Sequence, residues 1–144
     1  MNDKNFDKAN KIIERLFSRT GDKHNVMQEL AVMSGSDIIE NFRQGGRASR
    51  WEKSQRAIRE GGQTLVDTSR LMKSAATPQV QGDTIIHGSN LPYAAIHQFG
   101  FDSDIKTKNG SRRLRIKARP YLVFSNEFLN DASRVVSRWL LEGV

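Results

Sequence analysis

Three histidines (His24, His87 and His97) and the carboxylates Asp67, Asp83, Asp102 and Asp104 are the side chains best suited to acid–base or metal chemistry. Their spacing assembles neither. His87 and His97 lie ten residues apart, on what read as different elements. No His-x-x-x-His or Glu-x-x-His pair offers two metal ligands on one helical face. There is no Gly-x-Ser-x-Gly elbow and no Walker A loop. Gly45-Gly46 and Gly61-Gly62 read as hinges or turns before they read as phosphate cradles. The chain has no cysteine, which excludes disulfides and thiolate catalysis. A lone histidine such as His97 ordinarily hydrogen-bonds a carboxylate or a backbone carbonyl. The chain therefore reads as non-enzymatic, with no catalytic residue, metal or cofactor.

A second kind of chemistry is phosphate attraction. Lys106, Lys108, Arg112, Arg113, Arg115, Lys117 and Arg119 fall within fourteen residues with no acid among them. If half of them met phosphates, binding would depend steeply on salt. Aromatic residues are not interleaved with them, so no stacking platform for single strands is present. Neither zinc spacing nor a helix-turn-helix is visible. A basic DNA-binding module without sequence specificity is the alternative this leaves. The plainer reading is a solvated loop, or a contact for an acidic protein surface.

These residues need elements to position them. Thr84-Ile85-Ile86 is β-branched throughout and follows Gly82-Asp83, so Val80 to Ile86 reads as a hairpin opened by Thr77-Pro78. Gly88-Ser89-Asn90 ends that strand. Pro92 suits the first turn of a short helix on which Tyr93, Ile96 and Phe99 share one side, and Gly100 sits where a glycine would stop it. Asn109-Gly110 signals a type I′ turn, so residues 101–111 read as a protruding hairpin. Leu114, Ile116 and Tyr121 to Phe124 are strand-like, with Arg119-Pro120 at an edge or bend.

Around this centre the periodicity is helical. Phe6, Ala9, Ile12, Ile13, Leu16 and Phe17 form a stripe over residues 5–18, broken by Thr20-Gly21-Asp22. Val26, Leu30, Met33, Ile38 and Phe42 form a second, with Gly35 a weak point and Gly45-Gly46 its end. Arg43, Arg47, Arg50, Lys53, Arg56 and Arg59 would share a broad basic face on a helix, with Trp51 and Ile58 as apolar anchors. Asp67 can cap a short helix through Met72. Ser125 is a good N-cap for the last helix, Glu127 complements its dipole, and Phe128, Leu129, Ala132, Val135, Val136, Trp139 and Leu140 line one face until Gly143. The fold class is α+β: a small antiparallel sheet of short strands, packed by N-terminal helices and a long C-terminal helix. One domain spans residues 1–144, helical over 1–50, mixed over 51–125, and closed by the helix at 126–142.

At 144 residues such a domain buries about 70% of its unfolded surface. The apolar fraction of 37% and the mean hydropathy of −0.60 leave a modest core, one that an assembly could complete. A net charge of +7 favours a polyanionic or acidic neighbour. No apolar run is long enough to span a membrane, and the N-terminus carries no secretory h-region, so synthesis in the cytoplasm is expected.

Tyr93-Ala-Ala-Ile-His-Gln-Phe-Gly100 followed by Ala118-Arg-Pro-Tyr-Leu122 resembles the virion-morphogenesis, or tail-completion, family of Mu-like tailed bacteriophages. That family carries Tyr-Ala-x-Ile-His-Gln-Phe-Gly, a variable loop, then Ile-Pro-Ala-Arg-Pro-Phe-Leu. Leu65-Val-Asp-Thr-Ser-Arg-Leu71 with Ser74 is similar to its Leu-x-x-Thr-Gly-x-Leu…Ser element. The resemblance covers roughly residues 51 to 125. Ser69 stands where glycine is usual and Lys117 where proline is usual. The resemblance implies a structural protein of the virion neck, made in the host cytoplasm. It further implies a homo-oligomeric ring, of six by tail symmetry, between head connector and tail-terminator proteins around the DNA channel. On that reading Tyr93, Ile96, His97, Gln98, Phe99, Gly100, Ala118, Arg119, Pro120 and Tyr121 are core or interface residues. Lys106, Lys108, Arg112, Arg113, Arg115 and Lys117 then face DNA or an acidic partner.

Overall fold

The structure, a computed structural model, describes residues 3–19 and 23–142. Among the described residues, six helices and two antiparallel ribbons follow in the order α1 (Asp3–Arg19), α2 (His24–Gln44), α3 (Gln55–Glu60), α4 (Arg70–Ala76), β1 (Gln79–Gln81), β2 (Thr84–Ile86), α5 (Ala94–Phe99), β3 (Phe101–Thr107), β4 (Gly110–Ile116) and α6 (Asn126–Glu142). This is an α+β architecture whose strands pair only within their own ribbon, β1 with β2 and β3 with β4. The breaks expected at Thr20-Gly21-Asp22 and Gly143 lie outside the described residues, as do the side chains of Phe6, Ala9, Leu16 and Phe17.

The core is built on α2. Ile38 and Phe42, one turn apart, are fully buried, and Trp51, Leu71, Ala75, Ala94 and Tyr121 close around them. Phe42 meets Trp51 edge-on at 5.6 Å and Tyr121 at 5.4 Å, a geometry that suits aromatic quadrupoles. Gly35 does not split α2. It lies buried under α4, where a Cβ would stand 2.5 Å from the Ala76 carbonyl oxygen. The missing side chain lets the two helices close.

Two polar side chains on α2, Asp37 and Ser34, act as fasteners here. Asp37, its side chain 8% exposed, accepts from both the amide (2.9 Å) and the hydroxyl (2.6 Å) of Ser125 and pairs with Arg47 at 2.7 Å. The Ser125 Oγ in turn caps α6 by accepting from the Phe128 amide at 3.0 Å, as the sequence signals. Ser34 meets the His87 ring at 2.8 Å, and His87 Nδ1 meets the Ala75 carbonyl at 3.0 Å. A carbonyl can only accept, so Nδ1 carries a proton.

Several local expectations are corrected. The basic helical face does not form, because residues 45–54 are not helical. Arg47 turns inward to Asp37, and Arg56 to the Gln63 carbonyl and Asp67. Trp51 is an anchor, but Ile58 stays 60% exposed. Pro92 is not in the first turn of α5. It precedes it, in a turn closed by the Ala94 amide on the Leu91 carbonyl at 2.9 Å, where proline's fixed φ also fits. The β3–β4 turn is not type I′, which needs positive φ at two central residues. Here only Gly110 has it, at 117°.

Tyr121 to Phe124 form no strand. Pro120 has no donor, and the amides of Tyr121 and Leu122 are claimed by a side chain described below. Asp67 does not cap α4 either. Its N-cap is Ser69, held left-handed at φ 59° with no side-chain cap bond. Serine pays a steric penalty there that glycine does not. S69G should therefore raise the unfolding free energy by about 0.5–1 kcal/mol in denaturant titrations, and a loss of stability would show that the Ser69 side chain contributes something unseen.

Candidate functional site: the α5 and return-segment unit

The motif on α5 and the one at residues 118–122 meet in space. Gln98 Oε1 accepts from the amides of Tyr121 (3.0 Å) and Leu122 (3.1 Å). The Arg119 amide donates to the His97 carbonyl at 2.7 Å, and the Tyr121 hydroxyl to the Ala94 carbonyl at 3.1 Å. Tyr121 is 2% exposed, and burial raises its hydroxyl above the ordinary value, so it remains a donor. From the other side Asn41 Nδ2 donates to the carbonyls of Tyr121 (3.1 Å) and Pro120 (3.4 Å), while its Oδ1 accepts from the Arg47 amide.

Two side-chain amides thus do for this irregular segment what a strand ladder would have done. Gly100, at φ 80°, lets the chain turn out of α5 against the segment, with an added Cβ only 3.0 Å from both Ala118 N and Ile116 O. Arg119 is 9% exposed, and its Nε donates to the Glu52 carbonyl. Where the resembled pattern has proline, Lys117 reaches the Glu52 carboxylate at 2.5 Å. Hydrogen bonding to Lys117, then its charge, holds Glu52 below the usual carboxylate value.

The outward side of α5 differs. Phe99 is 79% exposed, Tyr93 is also exposed and Ile96 is half-buried, so none of the three is core. His97 stacks edge-on with Tyr93, and its buried Nδ1 has no hydrogen-bond partner. Burial, and then the nearby Arg119 charge, lowers its pKa below the ordinary 6.5. A cleft of about 410 Å3 opens beside Tyr93 and His97 and is lined also by Leu65, Asp67 and Arg70.

The basic cluster is also rearranged by folding. It is not a run of unopposed charge, because β3 brings acids across the ribbon. Asp102 meets Arg113 at 2.8 Å and Arg115 at 3.8 Å, and Asp104 lies opposite Arg113. With Lys117 on Glu52, the cations at the tip, Lys106, Lys108 and Arg112, are left without an ion pair among the described residues.

The candidates for acid–base chemistry are dispersed. Asp67 is on Arg56, Asp83 on Lys23, and His87 is between Ser34 and Ala75. Among the described residues no three His, Asp or Glu side chains are grouped to hold a metal ion, and no helix is long and apolar enough to cross a membrane. Asn41 and Asp37 were missed at the sequence level. The available signal was Asn41 at the centre of the face carrying Ser34, Ile38 and Phe42, a polar residue where the period calls for an apolar one.

What α5 and the return segment define is a scaffold held by backbone-directed side chains, with an apolar knob and a charged ribbon projecting from it. The chain belongs to the phage virion morphogenesis family, which matches residues 4–141. It is 39% identical over 113 residues to the Mu-like prophage FluMu G protein 2 of Haemophilus influenzae, covering 78% of this chain and 75% of that protein. No solved structure matches the chain significantly. Membership in a morphogenesis family points to a structural role rather than a catalytic one.

Two outcomes follow. Gln98→Ala orphans two part-buried amides and should destabilise by about 2–4 kcal/mol, while Gln98→Glu, which keeps the acceptors, should recover most of that. Equal loss in both variants would deny the clamp. His97, with its folded pKa depressed, binds protons more readily when unfolded, so stability rises with pH through the window below 6.5 and falls as acid is added. His97→Gln should flatten that slope and leave particle assembly intact; an unchanged slope would remove His97 from the account.

Proposed function

We propose that this chain is a structural neck or tail-completion protein that forms a ring, of six copies by tail symmetry, at the head–tail junction. Its neighbours are then the head connector and the tail terminator, and its place in the infected cell is the virion. Family membership over residues 4–141 is the observation that carries this reading. The fold supports it: the shared motifs are spent on holding a scaffold, and the exposed features are Phe99 and the ribbon, which suit contacts with other proteins. Phage lacking the chain should accumulate heads and tails that fail to join. Finished, infectious particles formed without it, or a virion reconstruction with no copies at the neck, would overturn the proposal.

The ribbon tip has a place in the same reading. Lys106, Lys108 and Arg112 carry the unpaired charge, so they and not the whole cluster would face DNA in the channel, a contact that reads no sequence. In phage carrying K106Q, K108Q and R112Q together, DNA retention in finished heads should weaken while ring formation persists. Heads that keep their DNA but fail to join tails would make the tip a protein-docking element instead.

A further inference from the structure

The β3–β4 ribbon lacks a partner that its composition calls for. Among the described residues, β3 and β4 pack on each other and on no other helix or strand to a comparable extent. A lone two-stranded ribbon is marginal in water unless a third strand or a helix supports it. Its register sorts its side chains onto two unlike faces. Phe101 opposite Ile116, with Leu114 and Ile105, makes one face largely apolar as far as Arg112 opposite Ile105, while Asp102 and Asp104 opposite Arg115 and Arg113 make the other charged. The charges are also sorted by strand, with both acids on β3 and the arginines on β4.

That sorting decides which edges are compatible. β4 against β4 of another copy would crowd arginines together. β3 against β3 in full overlap sets Asp102 opposite Lys106 but places Asp104 against Asp104. β4 against the β3 of a second copy, antiparallel and in the ribbon's own register, repeats the Asp102–Arg115 and Asp104–Arg113 columns and continues the apolar face. Opposite charges across a strand pair favour it, and like charges oppose it.

We propose that the ribbon is an edge-pairing element, in which β4 of one copy joins β3 of a second copy of this chain. It rests on the self-assembly in the proposed function and names the surface that carries it. An edge of one kind meeting an edge of another is a head-to-tail contact, which closes into a ring when its rotation allows. The strand-like residues Tyr121 to Phe124 offer no such edge, because they form no strand. The tip cations remain at the free end of each ribbon.

The chain has no cysteine, so an engineered one is its sole thiol. Ser103 lies opposite Leu114 within the ribbon, and in the repeated register Ser103 of one copy faces Leu114 of the next. Under mild oxidation, S103C mixed with L114C should give a disulfide-linked dimer of the two variants, and neither variant alone should cross-link. The mixture is tested as purified full-length protein and in particles from cells co-expressing both.

Cross-linking of S103C with itself, or of L114C with itself, would mean like edges pair and would overturn the proposal. So would no mixed disulfide in either setting. As a second readout that spares Leu114, the swap D102R/D104R/R113D/R115D keeps every pair within the ribbon. It should assemble with itself and be lost from assemblies with the unsubstituted chain; free co-assembly would overturn the proposal. Cross-links without copies at the virion neck would leave edge pairing standing and remove the neck reading. Neck rings without cross-links would do the reverse.

Discussion

The segment from Ala118 to Phe124 is where this fold is decided. It enters the core without being a helix or a strand, so its backbone amides and carbonyls need partners that no ladder supplies. Gln98 takes two of the amides and Asn41 offers its nitrogen to two of the carbonyls. With the segment held from both sides, Tyr121 stacks on Phe42, and the hydroxyl finds the Ala94 carbonyl. α2, α5 and the segment thus share a single polar closure, and the aromatic core forms around it.

Local rules were legible in the sequence because their causes are local. The Ser125 cap, the Val80–Ile86 hairpin and the stop at Gly45 each depend on residues within one turn of each other. Non-local rules were not. Tyr121 to Phe124 have the side chains of a strand, but their fate is set by Gln98 and by Asn41, which is 80 residues away from Tyr121. Asp67 has the right chemistry for a cap and loses the position to a left-handed Ser69. The basic cluster looked unopposed because charge was read along the chain, while Asp102 is opposed to it across a strand pair. The two motifs meet in space, yet their spacing alone does not reveal that Gln98 is the clamp.

The distribution of charge follows the same division. Most ion pairs join exposed partners, such as Lys23 with Asp83 or Arg134 with Asp131, and exposed pairs of this kind contribute little to stability. Asp37 with Arg47 is different. The carboxylate is enclosed, and it also receives both donors of Ser125, so the start of α6 is fixed to the middle of α2. Removing one member of such an enclosed group leaves the other desolvated and unpaired.

The pinch at Gly100 gives the molecule a mechanical property. β3 begins at the next residue, and the ribbon runs seven residues outward from there, about 20 Å at the usual strand rise. Its root is only one strand spacing wide, about 5 Å. A wedge of half an ångström at the root would swing the far end by about 2 Å, a lever ratio set by those two lengths. The missing side chain at residue 100 is therefore an aiming device. It fixes the bearing of a long pointer by keeping its pivot thin.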